Sequence, residues 1–307
     1  MRRFWRDLIP LGLLFLFPLV LFAPVTLGGR TLLPADALYL FQPFRAAAEA
    51  IGVDDVQNPL LSDLILENYP WKQFVADAVR SRELPLWDPY VFSGHPFLAN
   101  GQHSALYPLS ALFLILPIPK AFGVFVVVQL GLAGVWMYVF ARVLRAHRIG
   151  ALVAGLCFQL SGFMVVSVVH PMIIAGASWL PLLLALVECA VTRRRFWAQE
   201  RATLPWILLG AMALGLQTLA GHPETTYFAL LVMGGFTGWR LCYQLLTLPR
   251  GQWRAEVLGP ALGLMLLVLL GLGLGAAQLI PFYEVAQASF RQDAVSLQEV
   301  LGWAYPK

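Results

Sequence analysis

The sequence predicts an all-helical polytopic membrane protein, with about seven transmembrane helices and a large, partly helical first extracytoplasmic loop. Three observations carry that expectation. The 307-residue chain is 59% hydrophobic and only 12% charged, with a mean hydropathy of +0.71, whereas soluble globular domains carry about 25% charge. Its apolar residues gather in runs close to the ~20 residues that a helix needs to cross a bilayer. Its basic residues sit mainly in short connections between those runs. Such a composition excludes a water-soluble enzyme, whose surface needs more ionic groups, and excludes a disordered chain.

Seven apolar runs qualify as spans: 8–27, 121–141, 150–168, 172–191, 205–220, 226–246 and 257–281. The first follows Met1-Arg2-Arg3-Phe4-Trp5-Arg6 and has no small-x-small cleavage site behind it. It is therefore expected to be an uncleaved signal-anchor. The stretch 109–117, ending in Pro117-Ile118-Pro119, is too short to cross and reads as a re-entrant or interfacial piece.

Charge sets the orientation. With the N-terminus in the cytoplasm, the inner segments hold Arg2, Arg3, Arg6, Arg142, Arg145, Arg148, Arg193, Arg194, Arg195, Arg201, Arg240, Arg250 and Arg254, which is 13 of the 21 basic residues. Of the 17 acids, only Asp7, Glu188, Glu200 and Glu256 fall inside. Both distributions agree with the positive-inside rule. The formal charge of +4 does not indicate nucleic acid, because the basic residues follow the loops rather than form one patch.

The whole chain reads as one membrane domain: the first span, the outer segment 28–120, six further spans over 121–281, and an outer tail, 282–307. Within 28–120, Trp71, Phe74, Val75, Ala78 and Val79 recur at helical spacing, which predicts a helix from Pro70 to Arg82 with Lys72, Asp77 and Arg80 on other faces. It would lie either on the outer membrane surface or against the protein's own outer loop. Cys157, Cys189 and Cys242 are far apart in apolar runs, so neither a disulfide framework nor a cysteine zinc site is expected. Gly271-x-Gly273-x-Gly275 lies inside an apolar run with no preceding strand, so it is no nucleotide loop. Gly259-xxx-Gly263 and Gly271-xxx-Gly275 instead suit close helix contacts.

The polar residues gather outside. His95, His170 and His222 each precede a proline at an outer boundary, and Glu224 follows His222 closely. Proline frees backbone groups there, and an imidazole can meet a polar ligand; Gly-His-Pro also makes a plain tight turn. Asp36 and Asp63, unlike most of the nine acids of the outer loop, are flanked by apolar residues. A carboxylate in such a setting gains a raised pKa and suits a general base; the alternative for each is a helix N-cap. Arg291, just past the last span, suits either a lipid phosphate or ordinary snorkelling. No HExxH, Gx-Ser-xG or P-loop is present, nor any His or Cys cluster at metal spacing.

One longer pattern is recognisable. Residues 84–102, Leu84-Pro85-Leu86-Trp87-Asp88-Pro89-Tyr90 through Gly94-His95-Pro96 to Asn100-Gly101-Gln102, resemble a conserved run of the YfhO family of bacterial membrane proteins, with Asp88 where Asn is commoner. Tyr107-Pro108, Ser62-Asp63 with Tyr69-Pro70-Trp71, Trp179-Leu180-Pro181, Gly221-His222-Pro223-Glu224-Thr225, and Gly275 to Pro281 with Glu284, Ser289 and Arg291 are similar to further blocks of it. The likeness covers about 30–295.

The resemblance implies a GT-C-like architecture in a bacterial plasma membrane. The implied activity is glycosyl transfer from a polyprenyl-phosphate-linked sugar to an envelope glycan or polymer. It also implies an essential carboxylate in the first outer loop, Asp63 first and Asp36 second. His95, Asn100, Gln102, His222, Glu224 and Arg291 are then the expected substrate contacts, and membrane lipid a partner. Hard carboxylates would suit Mg²⁺ or Mn²⁺, yet no ligand set is evident. Family members are longer, so the resemblance also implies an N-terminal portion of a larger protein. Two rival classes remain open: a flippase for lipid-linked intermediates, which would place polar groups at mid-membrane, and a non-catalytic scaffold.

Overall fold

The computed structural model describes residues 2–53, 55–58, 61–197, 201–289 and 298. Among them the chain is helical, and β pairing is confined to isolated bridges such as Asp88 with His95. The principal helices are α1 (Arg2–Leu21), α2 (Tyr69–Arg80), α3 (Ile118–Val143), α4 (Arg148–Gln159), α5 (Pro171–Ser178), α6 (Leu180–Val191), α7 (Leu204–Leu219), α8 (Pro223–Thr247), α9 (Gly259–Leu274) and α10 (Ala276–Gln287).

Three helical segments are long and apolar enough to cross a membrane: Ile118–Val143, Pro171–Val191 and Arg254–Leu274. A fourth crossing results if Arg148–Gln159 and Gly162–Val169, bent by 42° at their junction, act as one. The other expected spans differ for physical reasons. The run 8–27 ends as a helix at Leu21, and a separate turn, Ala23–Thr26, follows. Helix α7 has 16 residues, about 24 Å at 1.5 Å each, against a hydrocarbon core of ~30 Å. Helix α8 has 25 residues but carries Glu224, Arg240 and Gln244, which dilute its apolar character.

Helices α3 and α6 form the centre. Nearly every side chain of α6 is buried, including Leu183, Val187, Ala190 and Val191. Helix α1 packs on α3 and α4, and α9 packs on α7. Glycine makes the last pairing close: a Cβ at Gly271 would lie 2.7 Å from Leu214, and one at Gly275 would lie 2.5 Å from Thr218. The small-residue contact expected there is present. At Gly259 the nearest atom is its own chain's Arg254 carbonyl, so that glycine faces no neighbouring helix.

The two ends of the bundle differ in chemistry. At one end Asp7 receives Arg148 at 2.9 Å, Glu256 receives Arg201 at 2.7 Å, and Glu188 receives Arg240 at 2.6 Å. At the other end lies the segment 28–120, tied down by Lys120 Nζ to the Gly28 carbonyl (2.8 Å) and by Thr31 Oγ1 to the Pro119 carbonyl (2.9 Å). The stretch 109–117 forms two short turns, Pro108–Ala111 and Leu112–Ile115, packed beside α3.

Helix α2 confirms the expected periodicity, with Pro70 in its first turn. Protein covers part of its apolar face: Trp71 and Ala76 are buried and Phe74 packs edge-on against Phe97 at 4.9 Å, while Val79, at the far end of the apolar stripe, is 46% exposed. Lys72 departs from expectation. Periodicity places it off the apolar stripe, yet it is 4% exposed, because the loop 97–113 folds over it from outside the helix.

Candidate functional site

Two clusters of polar groups occupy the loop end of the bundle. The first is built from short turns. Asp36 lies in the 3₁₀ helix Ala35–Leu40, and its Oδ2 accepts the backbone N–H of Gln57 at 3.0 Å. That bond ties two stretches of loop together. Asp36, Asp55 and Gln57 line a cleft of about 620 Å³, floored in part by Leu33 and Leu61. The 3₁₀ helix packs against a π-helical turn, Leu64–Asn68, and Asp63 immediately precedes it.

Asp63 makes no capping hydrogen bond, so the N-cap alternative is not realised, and its side chain is exposed. The apolar setting expected for it is absent because Leu64 and Ile65 turn inward instead. One turn on, Glu67 takes the perturbed role. Partial burial, and then the Asp63 carboxylate, raise its pKa. Sequence reading passed over Glu67; its i,i+4 spacing from Asp63 was the available signal.

The second cluster is the histidine corner. Helix α7 ends at Leu219, and Gly221 turns the chain with φ of +85°, where a Cβ would lie 2.7 Å from Ser104 Oγ. Ser104 Oγ donates to the Ala220 carbonyl at 2.6 Å. His222 then caps α8. Its Nδ1 accepts the Thr225 N–H at 3.1 Å and faces Thr225 Oγ1 at 2.7 Å. An accepting Nδ1 places the proton on Nε2. Burial lowers the His222 pKa, the neighbouring His170 lowers it further, and Glu224 opposes both. Two of the three expected His-Pro boundaries therefore meet, each opening a helix: α5 after His170 and α8 after His222.

The loop 97–104 closes over this corner. Gln278 Nε2, from α10, donates to the carbonyls of Leu98 (2.9 Å) and Asn100 (3.1 Å), while its buried Oε1 has no partner among the described residues. Asn100 Oδ1 accepts the Gln102 N–H at 3.0 Å, so the Asn100 side chain shapes a turn; Gln102 is exposed. His95 is held apart in a two-residue bridge to Asp88, with a buried, unpartnered Nδ1. Arg291 lies outside the described residues.

Lys72 and His103 stand behind that loop. Lys72 Nζ donates to the His103 carbonyl at 2.6 Å and sits 4.9 Å from the centre of the Phe113 ring. Burial nevertheless pulls its pKa down to about 7. His103 accepts the Ala105 N–H on Nδ1 and donates from Nε2 to the Leu98 carbonyl. Burial, with the Lys72 charge beside it, lowers its pKa to about 4, so its ring stays neutral. Beneath, Tyr107 joins Gln129 of α3 and Trp179, which donates to the Tyr107 hydroxyl at 3.1 Å.

The structure thus brings His222, His170 and the Asn100 loop together, and separately brings the turns bearing Asp36 and Asp63 into contact. Helix α2 connects the two clusters, since it follows the Asp63 turn and carries Lys72 to His103. Among the described residues no group of three or more His, Cys, Asp or Glu side chains is placed to hold a metal ion.

Among its described residues the chain is all-helical, with three helices long and apolar enough to cross a membrane, or four if the bent pair acts as one. Comparison with protein-family models, with curated proteins and with solved structures finds no match.

Proposed function

We propose that the chain is a GT-C-type glycosyltransferase of a bacterial plasma membrane, with seven crossings, a cytoplasmic N-terminus and its carboxylate cleft on the outer face. It takes a sugar from a polyprenyl-phosphate donor and passes it to an envelope glycan or polymer. The observation that carries this reading is the contact between the Asp36 turn and the Asp63–Glu67 turn beside an open cleft, at the bundle end opposite the ion-paired arginines. The sequence likeness of residues 30–295 supplies the substrate class.

In this reading Asp63 or Asp36 takes the proton of the acceptor hydroxyl. The acceptor oxygen bonds to the anomeric carbon as the bond from that carbon to the phosphate oxygen breaks, and polyprenyl phosphate leaves with the electron pair. One positioned base of this kind supplies about 10²–10⁴-fold in rate. In this reading His222, Glu224 and the Asn100–Gln102 turn border the donor. Some polar groups within the helices are paired, Gln129 with Tyr107 and Ser178 and Glu188 with Arg240, whereas the buried Gln159 amide has no partner among the described residues; the choice between enzyme and flippase therefore rests on the assay.

Purified full-length chain in lipid nanodiscs, supplied with a polyprenyl-phosphate sugar and an acceptor glycan, tests this. Release of polyprenyl phosphate with transfer of the sugar is the expected result. Movement of donor across vesicle bilayers without turnover would replace this reading with the flippase, and neither activity would leave the scaffold.

A further inference from the structure

At the bundle end opposite the carboxylate cleft, a second concavity is lined by arginine. Arg145, Arg194, Arg240, Glu188 and Trp239 border a cleft of about 350 Å³ between the end of α3, the end of α6 and α8. We propose that it binds the phosphate of a phosphate ester. Three guanidinium groups face one carboxylate, which leaves an excess of positive charge. That carboxylate is already committed: Arg240 grips Glu188 through Nε at 2.6 Å and Nη2 at 2.8 Å. The pair fixes the plane of Arg240 and leaves its Nη1 with no partner among the described residues.

Arg194 spends one N–H on the Val143 carbonyl, which holds the side chain at the rim. Arg145 follows α3 in a turn with φ of +69°, is exposed, and its guanidinium has no hydrogen-bond or ion-pair partner among the described residues. Guanidinium forks match phosphate oxygens geometrically, and a pocket in which three guanidinium groups meet one carboxylate suits an anion.

Surroundings narrow the ligand. Trp239 is 60% exposed beside the cleft, with Arg240 over its ring at 5.5 Å. Along the same helix Phe228, Leu231, Val232, Tyr243 and Leu246 are also exposed, a ridge on which acyl chains can lie. Tryptophan and tyrosine mark membrane–water interfaces, and basic pockets between helices at that level suit anionic lipid heads. The phosphate therefore comes from a phospholipid headgroup or from a soluble ester, and the site stands whether or not the chain transfers sugar.

Native mass spectrometry of the full chain in detergent tests this, with phosphatidylglycerol, phosphatidylcholine and inorganic phosphate as probes. Wild type should retain phosphatidylglycerol over phosphatidylcholine, and Arg145→Gln should weaken that retention about fivefold, from roughly 1 kcal/mol per interfacial arginine. Arg82→Gln, at the other end, should leave it unchanged. Competition by millimolar inorganic phosphate would identify a site open to soluble esters; retention indifferent to it would identify the lipid headgroup. Equal retention of the two lipids by wild type, or the same selectivity in Arg145→Gln, would overturn the proposal.

Discussion

The ammonium of Lys72 donates a 2.6 Å hydrogen bond to the main-chain carbonyl of His103, with His103 itself stacked on Phe97. A helix and a loop 31 residues apart are thereby joined through a buried cation, and both partners titrate abnormally.

The pH dependence follows from the signs of those shifts. The Lys72 pKa falls from 10.5 to about 7 on folding. Between those values the unfolded chain holds the extra proton, so stability rises with pH from about 7 to 10.5, by at most about 1.4 kcal/mol per pH unit. The His103 pKa falls from 6.5 to about 4, so stability is lost on acidification through that window. Thermal unfolding in detergent across pH 4–10 should show both limbs. Lys72→Met should flatten the alkaline one and His103→Gln the acid one.

Docking of the outer loop onto the bundle depends on Gly221. Its φ of +85° is left-handed, and a Cβ there would lie 2.8 Å from the Ser104 nitrogen. Gly221→Ala should cost at least about 2 kcal/mol. Ser104→Ala, which removes only the bond to the Ala220 carbonyl, should cost about 1 kcal/mol. Chemical denaturation followed by tryptophan fluorescence gives the comparison.

Packing of α1, α3 and α4 makes a sharper test. A Cβ at Gly134 would lie 1.8 Å from Gln159 Oε1, so Gly134→Ala should destabilise by about 1–3 kcal/mol. Gly150→Ala, also helical but with nothing within 4 Å, should be neutral or gain a few tenths of a kcal/mol. Thermal midpoints of the two variants should differ accordingly.

Sidedness is tested by labelling. In a variant with Cys157, Cys189 and Cys242 replaced, a cysteine at Arg82 should react with an impermeant maleimide added to intact cells, and one at Arg250 only after permeabilisation. The reverse pattern would invert the proposed orientation.

Much of the helical framework was legible because apolar runs report burial locally. The long runs at 121–141 and 172–191 and the helix beginning at Pro70 can be read directly. Of the seven expected crossings, three are long and apolar enough as single helices and a fourth as a bent pair; the run 8–27 ends as a helix at Leu21, and α7 has 16 residues. The candidate site was legible in part. Asp36 and His222 fall at structured positions. Asp63 has apolar neighbours in sequence, but Leu64 and Ile65 turn inward away from it; Glu67 shows only its i,i+4 spacing from Asp63. Lys72 was placed on the polar face, because its burial comes from residues 97–113 and not from its own helix. The bond from Trp179 to Tyr107 is equally non-local, joining residues 72 apart in sequence.

The central claim is that an outer-loop carboxylate performs the transfer. The most direct measurement is the rate of sugar transfer from a polyprenyl-phosphate donor by purified Asp63→Asn and Asp36→Asn variants beside wild type, with helicity checked for each. At least one variant should lose about 10²-fold or more while still binding donor. If both variants transfer sugar at the wild-type rate, the carboxylate assignment is contradicted.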